Sequence, residues 1–201
     1  MMKRNIAKNC ISSLLVLGLV LSMAVLPTNA SENKKKDDAE LLVETEKTAA
    51  EVEKEYALAE EKLLNDPMRG PAYDYKIEYG TPKTSIAGGY AGNQVPGGYQ
   101  FPSGGGFYYS ESGGPTVSLS FSFSSPYGSM SFGIPLGNKS TVGTWVAAPS
   151  TSGYYKLWVD KTIEVKPYVQ YRKKKGTSTW EVWTRGGTPV TKKISLYAKR
   201  V

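Results

Sequence analysis

The stretch VSLSFSFSSPYGSMSFGIPL, Val117 to Leu136, alternates apolar side chains with serine along most of its length. A period of two is that of a β-strand, whose successive side chains point to opposite faces, so the stretch predicts two strands, each with an apolar and a polar face. Ser125-Pro126-Tyr127-Gly128 has the residues of a turn between them. The whole ribbon lies inside Ser112 to Asn138, a run without a single charged residue. Two environments suit it: the apolar face lies against a second sheet inside protein, or it faces lipid.

Strand signals surround the ribbon. Tyr73, Tyr75, Ile77 and Tyr79 alternate with Asp74, Lys76 and Glu78, which predicts a half-buried strand. Beyond the ribbon, strands are predicted over Gly143 to Ala148, Tyr154 to Asp160, Thr162 to Arg172, Thr179 to Thr184 and Val190 to Lys199, separated by the turns APSTSG, KKKGTS and RGGTP. Short strands between Gly, Pro and Ser turns predict a mainly β fold, an antiparallel β-sandwich or small barrel, over residues 71–201. Pro135 and Pro167 lack an N–H for a ladder, so their strands are expected at edges or bulges. Residues 86–115, with GGY at 88 and again at 97, read as a long Gly- and Tyr-rich loop.

The N-terminal part divides in two. Lys3, Arg4 and Lys8 precede an apolar run that ends before Pro27 and Thr28-Asn29-Ala30, the pattern of a signal peptide over 1–30. The run is shorter than the roughly 20 residues of a spanning helix. Cys10 would leave with that peptide, so neither disulfides nor thiol chemistry serve the remainder. Export from a bacterium, to the medium or loosely to the cell surface, is the expectation. Residues 31–70 then form an acidic arm or pro-segment. Ser31 to Asp66 holds six lysines against twelve acids, whereas Pro67 to Val201 holds sixteen Lys or Arg against six. From Asp37 to Leu64 the arm has no Gly or Pro and predicts one long acidic α-helix, opened by a capping pair of Asp37 and Glu40.

Chemistry is narrowed by what is missing. The chain has no histidine, which excludes Ser-His-Asp and Cys-His arrangements and the usual zinc sites. No metal or organic cofactor is implied. Only paired carboxylates remain as a catalytic option, with Glu164 and Glu181 as the pair that flanks one hairpin. Catalysis is not expected.

Binding is better supplied. Arg172, Lys173, Lys174 and Lys175 crown one hairpin within a basic body, and such a cluster attracts anionic polymers or lipid surfaces through a field that salt weakens. Sequence-specific nucleic-acid binding is not expected. Trp180, Trp183 and Tyr171 flank the same hairpin and form a candidate aromatic platform, with a polysaccharide as a further candidate ligand. Trp180 and Trp183 differ in strand parity, so they should face opposite ways.

The ribbon itself resembles the transmembrane hairpins of pore-forming toxins, a likeness of pattern confined to about 20 residues. It implies that Val117, Leu119, Phe121, Phe123, Met130, Phe132 and Ile134 would meet lipid. Gly133 and Pro135 shorten the second strand to about seven or eight residues, against the roughly 9 to 11 that spanning requires. The expectation is therefore that these seven side chains lie in a soluble core. A secreted, non-catalytic protein binding an anionic envelope polymer follows, with a bacteriocin-like or pore-forming effector as the alternative. Oligomeric state is not fixed by the sequence.

Overall fold

A computed structural model describes residues 39–201; the expected signal peptide and the start of the acidic arm lie outside the described residues. In chain order the elements are β1 Ala39–Glu46, α1 Ala49–Leu64, β2 Tyr73–Tyr79, β3 Lys83–Tyr90, β4 Gly106–Ser110, β5 Thr116–Ser122, β6 Ser129–Pro135, β7 Asn138–Ser140, β8 Thr144–Ala147, β9 Tyr155–Lys174 and β10 Glu181–Arg200. Among the described residues the fold is mainly β, with three antiparallel sheets that do not close into a barrel.

The spine is the pair β9 and β10, each 20 residues long and antiparallel from Arg172–Glu181 to Tyr155–Arg200. Where the sequence predicts two strands with a break at Lys161, β9 runs unbroken. Its alternation never lapses: side chains from Tyr155 to Val169 are buried at every odd position and half-buried at every even one. RGGTP, expected as a turn, is likewise strand. Gly187 shows why glycine is needed there, because a Cβ would come within 2.7 Å of Met130 Sδ and 2.8 Å of Val165 Cγ1. The bare backbone lets the β5–β6 hairpin press directly onto β10.

Two strands share the other edge of β9. β2 pairs with its far half, ending at Tyr79–Tyr168, and β3 with its near half, starting at Lys83–Val165. Pro167 sits at the changeover, so the expectation of an edge or bulged strand is corrected: β9 is central. The Pro167 carbonyl accepts from Gly80 N at 2.9 Å, so its ring nitrogen faces the corner between β2 and β3. At that corner no ladder donor is lost.

The odd face of β9 carries the core. One cluster joins Leu157 and Val159 to Ile194 and Leu196 of β10, under Phe107 and Tyr109 of β4 and Val146 of β8. A second joins Ile163 and Val165 to Ala87 of β3, under Leu119, Phe121, Ile134 and Leu136. The tract expected as a loop at 86–115 is built into both. It contributes the end of β3, all of β4, and a bridge between Tyr99 and Tyr155. Its aromatics pack edge to face, Phe101 on Phe107 at 5.1 Å and Tyr99 on Phe107 at 5.8 Å between centroids.

The expected long helix from Asp37 to Leu64 is corrected as well. Its first half is β1, which pairs with β10 from Ala39–Lys199 to Glu46–Lys193. Helix propensity is a weak prior, and an open edge of β10 outweighs it. Val43 packs toward the first cluster, while Glu44 reaches Lys193 at 2.8 Å. The helix that remains, α1, has 16 residues and starts at a capping box of Thr48 and Glu51, not at Asp37. Val52 and Tyr56, one turn apart, bury against Val190 on the even face of the spine.

Candidate functional site

Three strands, β2, β9 and β10, converge at the hairpin expected to bind anions. Arg172, Lys173 and Lys174 lie within β9, Lys174 as its last residue, and only Lys174 and Lys175 are exposed at the tip. Register explains what the first two meet. Arg172 stands between Tyr75 of β2 and Glu181 of β10; its Nε donates to Glu181 Oε1 at 2.6 Å, and its guanidinium lies 4.9 Å from the Tyr73 ring centroid. Donation to the Glu181 carboxylate raises the Arg172 pKa above its ordinary value. Lys173 pairs with Asp74 across the β2–β9 ladder at 3.4 Å. Among the described residues no carboxylate pairs with Lys174 or Lys175. The four-cation cluster is thus half neutralised, and its free charge sits at the turn.

The tryptophans lie on opposite faces, but not by strand parity: Trp180 precedes β10, and the register shifts between Val182 and Thr184. Trp183 rests against Tyr75, 5.0 Å between centroids, on the face where Arg69 covers Tyr75 and donates from Nη2 to the buried Gln170 at 2.9 Å. Trp180 lies on the opposite face. There Lys76 and Lys173 each place an ammonium 5.2 Å from its ring centroid, and Lys76 also stands 4.8 Å from Tyr171. Trp180 is 37% exposed and Val182 39% exposed, so this face is an open shelf of rings rimmed by cations. Sequence reading missed Lys76, Asp74 and Tyr73 as parts of the site. β2 is remote in sequence, and the one available signal was charge complementarity between DYK at 74–76 and RKK at 172–174.

The seven apolar residues of the serine ribbon lie on the core side of β5 and β6. Leu119, Phe121 and Ile134 are buried; Val117, Phe123, Met130 and Phe132 are partly buried beside them. Thr116, Ser118, Ser120 and Ser122 of β5, with Ser129 and Ser131 of β6, make the exposed face. Ser120 and Ser131 hydroxyls bond across the strands at 2.8 Å, and Ser129 donates to Ser122 at 3.1 Å. Arg185 Nε holds the turn by donating to the Pro126 carbonyl at 2.7 Å.

The candidate catalytic pair is not brought together. Glu164 is opposite Val190 and Glu181 is opposite Arg172, eight strand positions away, or about 26 Å at roughly 3.3 Å per residue. Glu164 serves packing instead, accepting from Tyr56 Oη and from Lys192 Nζ, both at 3.1 Å. Burial, and then the nearby Glu164 charge, push the Tyr56 phenol well above its ordinary pKa. One buried cation was missed: Lys161, 4% exposed, stands on the core face of β9 between the two clusters, and burial lowers its pKa against an opposing pull from Glu111. Its only sequence signal was a charge on the apolar phase of a strand.

Comparison with protein-family models, with curated proteins and with solved structures finds no match to this chain.

Proposed function

We propose that the protein is an exported, non-catalytic binding protein whose contact surface is the tip of the β9–β10 hairpin and whose ligand is an anionic polymer of the cell envelope. The observation that carries this reading is the shelf of Tyr171, Trp180 and Val182, rimmed by Lys76 and Lys173 and extended by Lys174 and Lys175, which no carboxylate among the described residues pairs. Cations supply long-range attraction, and exposed rings supply apolar area against the repeating units of a polymer. The burial of Leu119 and Phe107 against one face of the five-stranded sheet favours a β-sandwich body. Pairing of β1 with β10 favours an acidic segment that stays with that body after export.

Retention on phosphocellulose and on heparin tests the reading. Lys174→Ser with Lys175→Ser should elute at clearly lower salt than the parent chain, and Trp180→Ala should weaken retention without changing its salt dependence. Unchanged elution of the double lysine variant would remove the tip as the contact surface.

A further inference from the structure

The phase of the β5–β6 hydrogen bonds carries a second function. Seven positions pair between Thr116–Pro135 and Ser122–Ser129, and one more bond lies beyond each end, Leu136 N to Pro115 O at 2.8 Å and Phe123 N to Gly128 O at 3.0 Å. The ladder therefore has nine rungs, longer than the sequence implies. Pro135 does not shorten it, because its missing N–H would point away from the partner strand. Nine rungs enclose eight intervals, about 27 Å at roughly 3.4 Å per residue, close to the roughly 25 Å apolar band of membrane barrels.

Bonded and non-bonded rungs alternate in an antiparallel pair. The two end bonds place the apolar residues at bonded rungs and the serines at non-bonded ones. Every serine thus turns its backbone N–H and C=O outward, along the two open sides of the hairpin. Ser122 O does so visibly, since it accepts from Lys83 Nζ at 2.6 Å. The hairpin is a sheet of its own, with no ladder to either neighbouring sheet. At its base Gly114 has φ +84° and packs directly on Gly137, a close approach that only glycine permits.

We propose that β5–β6 leaves the core face of the spine and enters a lipid bilayer as one hairpin of a ring built by several copies of this chain. The seven apolar side chains then face hydrocarbon, the serines line a water-filled lumen, and the uncharged run Ser112 to Asn138 places no charge in the bilayer. Backbone groups in hydrocarbon must be satisfied, and the outward groups at the serine rungs find partners only on neighbouring hairpins. This activity uses a surface separate from the β9–β10 tip and stands or falls independently of it.

Dye release from vesicles of phosphatidylglycerol and phosphatidylcholine, with the full chain as added protein, is the test. Ser131→Pro removes one outward N–H and no bond inside the hairpin, so it should keep the parent's circular dichroism and melting curve while release is lost. Ser131→Lys, on the exposed face, should shift the reversal potential of single channels in planar bilayers toward anion selectivity. Absence of release by the parent chain would overturn the proposal. So would release undiminished by Ser131→Pro in a folded variant, or a reversal potential that Ser131→Lys leaves unmoved.

Discussion

The hydroxyls of Ser120 and Ser131 meet at 2.8 Å across a rung where the two backbones exchange no hydrogen bond. Side chains come closest at such rungs, so the pair supplies a contact that the ladder does not. Threonine at both positions keeps the hydroxyls and adds strand preference. Thermal melting of the double threonine variant should show a gain of up to about 1 kcal/mol.

Gly187 predicts the reverse of the usual glycine rule. In an ordinary strand position alanine would gain from a stiffer unfolded chain, but here a Cβ meets Met130 and Val165 inside 2.9 Å. Gly187→Ala should cost about 1 to 3 kcal/mol in urea denaturation, because the hairpin must lift from β10.

Thr48 opens α1 by accepting from Glu51 N at 3.3 Å, while Glu51 accepts from Thr48 N at 2.8 Å. Thr48→Ala should lose about 1 kcal/mol. Bonds with Thr48 hold the Glu51 pKa below the ordinary carboxylate value of 4.5, so their contribution is present above that pH and disappears as pH falls through the lowered pKa. A pH titration of stability should show an acid loss that Glu51→Gln no longer has and that Thr48→Ala only reduces, because the backbone N–H of residue 48 still donates to Glu51.

Lys161 works against the fold at neutral pH. Burial depresses its pKa below 10.5, so the unfolded chain binds its proton more tightly and the penalty fades as pH climbs toward that value. Lys161→Met keeps the stem and removes the charge. It should stabilise the protein by about 1 to 3 kcal/mol at neutral pH and flatten the rise in stability on the alkaline side.

Four tyrosines set the alkaline limit. Burial raises the phenols of Tyr56, Tyr79, Tyr109 and Tyr168, that of Tyr79 to about 12 with further push from Glu60. Their stabilisation is whole below the unfolded value of 10 and is lost as pH rises through the folded pKa values. The share of tyrosinate absorbance that belongs to these four should therefore appear together with loss of the folded state, not before it.

Local periodicity made much of this fold legible. The alternation of the ribbon and of YDYKIEY identified β5, β6 and β2. Decisions made by distant partners were not legible. Whether Ala39 to Glu46 becomes strand depends on the free edge of β10, some 150 residues away, and RGGTP stays extended because Met130 and Phe132 need flat backbone beneath them. At the site, the cations were legible as a run, but their neutralisation by Asp74 and Glu181 was a property of register.

The neighbourly order of β1 and β10 also decides how the body answers tension. Ala39 lies beside Lys199, so a pull between the two ends of the described chain loads the rungs of that seam one at a time, like a zip, and never all together in shear. Dragged by its extremities, the protein would part first along this seam at low force, with the β9–β10 spine and its cargo of hairpins still whole.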